Sequence, residues 1–421
     1  MMVVQGMKRD EKMTTLTNER MFQCEKDEQI RLKEGVFTRN RRLGATKILH
    51  ILLHGVFSSL QLTIDRYFES IGQAPVSKQA FSKARQNLNP EYVRGFADDS
   101  SALFAQGDDM PTYQGMRLVA IDGTTLALEN TPELQAYFGC SGSKKDATTA
   151  LASIAYDPLG QAIYDCQIAP YKTDERDLAK LHLKRLSELD LGGSLLLFDR
   201  WYPSKEFISH VLSCGFSFVM RVREKWNLEV DAIKTQGWVT LKHEGKSFRV
   251  RVLKVKLSTG ETETLLTNLS QKQLPIREAG ALYFKRWGIE TAYDTLKSKL
   301  QMENFSGKTV VSVLQDFYAT VYLANFVTAC SENATAIIEE NDRHKSLKYR
   351  RKSSQNRTIS KLRDQFYTLL LTRDEGERKR LLKQLHHDVA RYPEPIRPGR
   401  SPARKPPRSK RFPVAKKAGE A

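Results

Sequence analysis

The segment "SLLLFDRWYPSKEFISHVLSCGFSFVMRV", from Ser194 to Val222, decides the fold. "SLLLFD" is a short apolar run that ends at Asp199 and predicts a buried strand. "PSKEFISHVLSC" predicts a helix that starts after Pro203 and is closed by Gly215. "FSFVMRV" predicts a second buried strand. A strand, a helix and a strand in this order indicate an α/β arrangement.

The residues before this segment supply three more strands and a helix. "RLVAID", which ends at Asp122, predicts a strand, and "TALASIAYDP" and "GQAIYDCQIAP" predict a hairpin that turns at Pro158-Leu159-Gly160. "DERDLAKLHLKRLSELDL" predicts an amphipathic helix before Gly192-Gly193. The order of three strands, helix, strand, helix and strand is that of a ribonuclease H-like α/β core with a mixed sheet.

Sequence patterns divide the chain into five predicted parts. Residues 1–108 read as a helical, DNA-binding domain, residues 109–225 as the first part of the core, and residues 226–272 as an all-β insertion because they alternate with period two. Residues 273–340 read as the closing helices of the core. Residues 341–421 read as a basic C-terminal region, whose last ~30 residues are rich in Pro, Lys and Arg and are predicted to be disordered.

Composition indicates a polyanionic partner. The 421 residues include 67 Lys and Arg against 49 Asp and Glu, which gives a net charge of +18 and a pI near 9.6. The 5 cysteines are dispersed and form no zinc-ligand spacing, so a reduced cytoplasmic compartment is expected. The apolar run Ile48–Ile64 is short for a membrane span and contains two histidines, so no membrane association is predicted.

Two aspartates and a glutamate are the candidate chemistry. Asp122 and Asp199 each follow an apolar strand, where α/β sheets commonly place their functional side chains. Glu290 lies on a helix that is expected to cover the sheet. Three converging carboxylates repel one another unless a cation neutralises them, and oxygen ligands suit Mg²⁺ or Mn²⁺. Two such ions about 4 Å apart support phosphodiester cleavage.

Glu290 belongs to the segment "YFKRWGIETAYDTLK", Tyr283–Lys297, which we predict to be one continuous helix. On a helical wheel Tyr283, Arg286, Glu290 and Lys297 share an arc of about 60° beside the apolar stripe. Taken alone, this pattern also fits an amphipathic helix whose Arg286 and Glu290 form an i,i+4 pair.

These motifs together resemble the DDE transposases of bacterial insertion sequences, and more narrowly insertion sequence family four with its YREK signature. The resemblance rests on "IDGTT" (121–125), "FDRWYPS" (198–204) and the spacing Tyr283-x2-Arg286-x3-Glu290-x6-Lys297. "FTRNRRL" and "SKQAFSKARQNL" resemble the leading domain of that family. The resemblance as a whole covers roughly residues 30–335 of this chain.

The resemblance implies metal-dependent cut-and-paste transposition. Asp122, Asp199 and Glu290 would hold two Mg²⁺, with Mn²⁺ as an alternative, for cleavage at the element ends and strand transfer of the 3′-OH into target DNA. Arg286 and Lys297 would hold phosphates and Tyr283 would donate a hydrogen bond to DNA. Pairing of two element ends implies a homodimer on DNA.

Four further residues are predicted to contact DNA. Tyr202 occupies its usual place in the second aspartate motif, and Trp238 is a candidate to stack on an extruded base. Lys83 and Arg85 lie in a predicted helix after Ser77 that resembles the reading helix of a helix-turn-helix, with its basic side chains pointing outward. An ordinary surface helix and a buried tryptophan are the alternatives.

Two other functions remain open at this stage. The first is a domesticated ribonuclease H-like nuclease that cuts DNA without joining it, since hydrolysis and strand transfer use the same carboxylates. The second is a catalytically inactive DNA-binding protein, against which the complete set of Asp122, Asp199 and Glu290 argues.

Overall fold

The computed structural model describes residues 7–38, 42–142, 146–257 and 260–397. The chain forms two compact units: unit 1 comprises Met1–Leu103, Ala127–Thr149 and Thr295–Ala421, and unit 2 comprises Phe104–Leu126 and Ala150–Asp294. Most of the tail predicted to be disordered lies outside the described residues, as do residues 39–41 of "FTRNRRL". The division into five parts stays a prediction.

Helices account for most of unit 1 and for the connections of unit 2. In chain order the α-helices are α1 (Arg9–Gln23), α2 (Ala45–His54), α3 (Leu60–Ser70), α4 (Lys78–Arg85), α5 (Pro90–Ala105), α6 (Pro132–Phe138), α7 (Glu175–Glu188), α8 (Lys205–Ser213), α9 (Leu228–Ala232), α10 (Ile276–Phe284), α11 (Gly288–Asp294), α12 (Val310–Asp342), α13 (Gln355–Leu371) and α14 (Glu375–Ala390).

Strands form one large sheet and one small ladder. They are β1 (Leu118–Ala127), β2 (Cys140–Ser141), β3 (Ala147–Tyr156), β4 (Ile163–Pro170), β5 (Leu195–Phe198), β6 (Ser217–Val222), β7 (Gln236–His243), β8 (Lys246–Lys256), β9 (Thr262–Thr267), β10 (Arg351–Lys352) and β11 (Glu394–Pro395). The fold is therefore mixed α/β with a large sheet, as predicted.

The sheet of unit 2 is built around the predicted strand–helix–strand segment. Strands β1, β5 and β6 are neighbours and run parallel, and β3 and β4 form the predicted antiparallel hairpin beyond β1. The hairpin turns where Asp157 Oδ1 accepts the backbone N–H groups of Leu159 and Gly160 at 2.8 and 2.9 Å. The central strands are apolar and buried on both faces because helices cover a parallel sheet.

The predicted end of β1 is wrong. The strand does not stop at Asp122 but continues to Ala127, whereas its parallel pairing with β5 ends at Ile121 and Phe198. Asp122 and Asp199 therefore directly follow the last two residues that pair between β1 and β5. The sheet itself explains the extension, because β1 also has β3 as a neighbour.

The region predicted as an all-β insertion contributes three antiparallel strands to this same sheet. β9 pairs with β6, β8 with β9 and β7 with β8. The sheet order from β6 outward is thus β9, β8 and β7, preceded in the chain by the short helix α9.

The prediction of one continuous helix from Tyr283 to Lys297 is wrong. A 3₁₀ turn at Lys285–Trp287 separates α10 from α11, and a π turn covers Thr295–Lys299. Each change of winding rotates the following side chains relative to a regular helix, so the 100° wheel does not describe this segment. Lys297 belongs to unit 1, whereas the other three residues of the signature belong to unit 2.

Unit 1 is a helical assembly around α12. This helix of 33 residues is long and apolar enough by composition to cross a membrane, but two thirds of its most apolar window is buried, which is the behaviour of a core helix. Helices α1, α2, α13 and α14 pack against it. Helices α13 and α14 were not predicted within the basic C-terminal region. Asp374 caps the start of α14 by accepting the N–H of Glu377 at 2.7 Å.

The helix predicted after Ser77 ends at Arg85, and a second helix, α5, begins at Pro90. Asn89 separates the two helices by accepting the N–H of Glu91 at 3.1 Å, and Pro90 opens α5. Proline is favoured at the first position of a helix because it has no N–H to leave unpaired there. Ser77 caps α4 as predicted, by accepting the N–H of Ala80 at 3.2 Å.

Candidate active site

Two aspartates lie where the parallel pairing of β1 and β5 ends. Asp122 follows the last paired residue of β1, and Asp199 directly follows β5. Both are partly exposed, with 20% of the Asp122 side chain open to solvent. The register thus places two carboxylates at one edge of the sheet, as the sequence predicted.

The backbone of Asp122 is held in place by two hydroxyl groups. The carbonyl oxygen of Asp122 accepts hydrogen bonds from Tyr293 Oη at 2.7 Å and from Ser153 Oγ at 3.2 Å. Ser153 is in turn linked to His182 Nε2 at 2.9 Å, and His182 Nδ1 is linked to Asp165 Oδ2 at 2.6 Å. A buried chain of hydrogen bonds therefore anchors the strand at the residue that carries the carboxylate.

This chain of Ser153, His182 and Asp165 has the connectivity of a hydrolase triad, but its environment excludes that chemistry. His182 and Ser153 are 0% exposed and Asp165 is 2% exposed. A nucleophile must reach its substrate, and the Ser153 hydroxyl is used on a backbone carbonyl. These three side chains therefore hold β1 in position through their hydrogen bonds.

Arg286 joins two of the three predicted metal ligands. Its Nη1 lies 3.2 Å from Asp122 Oδ2, and its Nη2 lies 3.2 Å from Glu290 Oε1. The Arg286 side chain is only 5% exposed, whereas the Glu290 side chain is 42% exposed. In this conformation the guanidinium occupies the space between two carboxylates, where it supplies the positive charge that they require.

The other two signature residues have different neighbours. Tyr283 is buried and donates its hydroxyl hydrogen to the carbonyl oxygen of Phe198 at 3.3 Å, which ties α10 to the end of β5. In unit 1, Lys297 Nζ forms an ion pair with Glu303 Oε1 at 3.5 Å. Their predicted contacts with DNA stay predictions.

Burial perturbs the acid–base properties of Asp122. Desolvation raises its pKa from 3.8 to about 7, against the opposing effect of Arg286. Glu175 and Asp199 contribute to the rise because like charges favour the neutral form. A carboxylate with such a raised pKa, beside other carboxylates, is typical of a functional site.

Glu175 is a site residue that sequence reasoning missed. It is the first residue of α7, where Asp174 caps the helix by accepting Arg176 N–H at 2.9 Å. Burial raises the pKa of Glu175 against the opposing effect of a hydrogen bond with Tyr202, and the charges of Asp174 and Asp199 add to the rise. The capped start "TDERD" after the hairpin predicts where the helix begins, but no local pattern shows that its first side chain reaches Asp122.

The structure corrects the expected orientation of Arg85. Its guanidinium is not outward-facing but is 0% exposed and donates to Gln315 Oε1 at 2.8 Å, Ser306 Oγ at 2.6 Å and Asp316 Oδ1 at 2.7 Å. These three hydrogen-bond partners come from the start of α12 and the loop before it. Lys83 is exposed, as expected.

Tyr202 and Trp238 lie in contrasting environments. Tyr202 is 1% exposed and packs against Phe198 and Phe207, so it presents no surface for a DNA contact in this conformation. Trp238 on β7 is 43% exposed with the guanidinium of Arg249 5.1 Å from its ring centre. Trp238 is thus accessible for the predicted stacking.

A second group of possible metal ligands lies in unit 1. Asp10, Cys330 and His386 are all buried, and their ligand atoms lie within 4.8 Å of one another. Asp10 already accepts a hydrogen bond from Asn333 Nδ2 at 2.8 Å and contacts His386 Nε2. The group therefore reads as a buried, internally satisfied polar cluster between helices.

The donor set in unit 2 fits a hard divalent cation. Asp122, Asp199, Glu175 and Glu290 offer only oxygen ligands, which Mg²⁺ and Mn²⁺ prefer. Asp122 and Glu290 already share one positive group, Arg286. A cation would favour the ionised form of Asp122, whose pKa is raised by burial and, to a smaller extent, by Glu175 and Asp199.

Comparison with known proteins gives matches to transposases. A curated relative, "Transposase InsG for insertion sequence element IS4" of Escherichia coli (strain K12), is 24% identical over 303 residues. This match covers 65% of the chain and 64% of the relative, so the chain spans less than two thirds of that protein's length. A solved structure of the piggyBac transposase synaptic complex with hairpin DNA aligns with a TM-score of 0.45 and 13% identity, over 92% of this chain and 83% of that one.

The model of the family described as "Transposase DDE domain" matches residues 113–326, which is just over half of the 421 residues. The matched range includes Asp122, Asp199 and Glu290. The family predicted from the motifs is therefore confirmed, and the chain belongs to the Transposase DDE domain family.

Proposed function

We propose that the protein is a transposase that cuts an insertion sequence from DNA and joins it to a target by metal-dependent phosphodiester chemistry. The observation that carries the proposal is that three carboxylates, those of Asp122, Asp199 and Glu290, belong to one unit of a chain of this family. Arg286, which contacts two of the three carboxylates, supports their assignment to one site.

We assign the core of unit 2 to the ribonuclease H-like class. The support is the strand order β4, β3, β1, β5, β6 together with the parallel pairing of β1, β5 and β6. Strands β7–β9 then count as an insertion between Asp199 and Glu290 that extends the sheet beyond β6.

Asp122, Asp199 and Glu290 would hold two Mg²⁺ ions, or Mn²⁺ in their place. When bound, these cations supply activation of the attacking oxygen and stabilisation of the leaving oxygen. With a cation in place the carboxylates would no longer need Arg286, and its guanidinium would suit a bidentate contact with a DNA phosphate. Lys297 would provide a second phosphate contact, and Tyr283 holds the end of β5 that carries Asp199.

DNA is the proposed partner, both as the terminal repeats of the element and as the target. The net charge of +18 supports affinity for the phosphate backbone. Lys83 and Trp238 are proposed contacts because both are exposed. Joining two ends requires two active sites, so we propose a homodimer on DNA, acting in the cytoplasm of a bacterium at its nucleoid.

The test is cleavage of DNA that carries the terminal repeats of the element, in the presence of Mg²⁺. Asp122→Ala, Asp199→Ala and Glu290→Ala should each abolish nicking while DNA binding in a mobility-shift assay is retained. Asp108→Ala, which removes an exposed carboxylate of the same unit, is the control and should cleave normally. Normal cleavage by any of the three site variants contradicts the assignment, and cleavage without joining to target identifies a nuclease.

A further inference from the structure

The Glu175 carboxylate lies directly against the backbone that follows Asp122. A Cβ placed on Gly123 would come within 2.9 Å of the Glu175 carboxyl carbon and 3.2 Å of both its oxygens. Any larger residue at position 123 would require the Glu175 carboxylate to shift. Glu175 is therefore packed beside Asp122 across the sheet edge and does not extend into solvent.

Glu175 reaches this place without a cationic partner. Among the described residues it forms no ion pair with a lysine, arginine or histidine, and the charges that act on it most strongly are those of Asp174 and Asp199. Arg286, which contacts Asp122 and Glu290, does not contact it. A half-buried carboxylate beside two others is unfavourable unless a cation joins the group.

The Tyr202 hydroxyl is buried beside the same carboxylates. Its acceptor is the Glu175 carboxylate, in a hydrogen bond that falls outside normal geometry. Burial raises the pKa of this phenol, and the negative charges of Glu175 and Asp122 add to the rise. Tyr202 therefore acts on the side chain of Glu175 and not on solvent.

We propose that Glu175 is a fourth carboxylate ligand of the divalent-cation site, and that the Tyr202 hydroxyl orients it when a cation is bound. A cation would supply the positive partner that Glu175 lacks, and the hydrogen bond from Tyr202 would hold the Glu175 carboxylate in place. The inference rests on the proposed metal site at Asp122, Asp199 and Glu290, and it gives Tyr202 a positioning role in place of the predicted contact with DNA.

The test measures Mn²⁺ binding to the full-length protein without DNA, by the loss of the free Mn²⁺ signal in electron paramagnetic resonance. Glu175→Gln should weaken Mn²⁺ binding about tenfold or more, and Tyr202→Phe should weaken it less, within the range for residues that orient a ligand. Combining the two substitutions should weaken binding no further than Glu175→Gln alone, because Tyr202 acts through Glu175.

Glu188→Gln is the matched control, since it makes the same change at the exposed far end of α7 and should leave Mn²⁺ binding unchanged. Circular dichroism in EDTA verifies that each variant is folded. If Asp122→Asn abolishes Mn²⁺ binding but Glu175→Gln and Tyr202→Phe bind Mn²⁺ as wild type does, the inference about Glu175 is wrong and the proposed site stands. If Asp122→Asn binds as wild type does, the proposed site itself is wrong.

Discussion

Asp122→Asn should make the metal-free protein more stable at alkaline pH. Burial and neighbouring carboxylates raise the pKa of Asp122 from 3.8 to about 7 in the folded state, so the folded protein prefers the neutral form of this side chain. Asparagine has nearly the same shape as neutral aspartic acid and cannot ionise. The substitution therefore removes an unfavourable charge from the fold together with a ligand from the site.

The size and pH dependence of the effect follow from linkage. A raised pKa contributes stability that is fully present below pH 3.8 and is lost as the pH rises through about 7. At about 1.4 kcal/mol per pH unit, the loss for wild type reaches about 4 kcal/mol above pH 7. Asp122→Asn does not suffer this loss. Its free energy of unfolding should therefore exceed that of wild type by up to about 4 kcal/mol at pH 8 and by little at pH 4.

Urea unfolding followed by tryptophan fluorescence measures the effect in the relevant unit. The 4 tryptophans, Trp201, Trp226, Trp238 and Trp287, all belong to unit 2. Unfolding is measured in EDTA at pH 4, 6 and 8, and the midpoint and slope give the free energy of unfolding.

An exposed aspartate of the same unit serves as the comparison. Asp108→Asn should change the free energy of unfolding by less than about 0.5 kcal/mol at each pH, as surface substitutions do. If Asp122→Asn is no more stable than wild type at pH 8, or if its advantage is the same at pH 4, then burial does not dominate the electrostatics of Asp122 and the reasoning fails. Adding Mn²⁺ should stabilise wild type and leave the variant unchanged.

Two further predictions concern arginines that the structure buries. Arg286→Gln should lower the stability of the metal-free protein by about 3 kcal/mol, because it leaves two carboxylates without their shared partner, and Mn²⁺ should restore most of this loss; a variant as stable as wild type in EDTA would show that the bridge is not required. Arg85→Ala should cost about 3–5 kcal/mol, because it removes the guanidinium partner of Asp316, a carboxylate that is only 14% exposed. The neighbouring Lys83→Ala should preserve stability but weaken DNA binding and reduce its salt dependence by about one ion. An unchanged DNA affinity for Lys83→Ala would remove α4 from the proposed interface.

Residue patterns in the sequence were sufficient where local rules apply. Apolar runs located β5 and β6, and the hairpin signal at Pro158-Leu159-Gly160 located β3 and β4. The YREK spacing, with its two aspartate motifs, predicted a family that the match over residues 113–326 confirmed. Such patterns succeed because a strand buried on both faces must be apolar throughout, whatever it packs against.

The same patterns failed where winding and burial depend on distant residues. The segment Lys285–Trp287, which forms a 3₁₀ turn, contains neither proline nor glycine, so its sequence predicts a regular α-helix. Arg85 read as a surface cation because its partners lie more than 220 residues away in the chain, around the start of α12.

The sequence alone therefore determined which carboxylates are available, since Asp122 and Asp199 each follow an apolar run that any packing would bury. Only the tertiary structure decided their electrostatic state. The pairing of Ile121 with Phe198 brings the two aspartates to one sheet edge, and the start of α7 adds Glu175 beside Gly123. Charge repulsion and desolvation depend on distances in space, and contacts between side chains this far apart in sequence have no local signature.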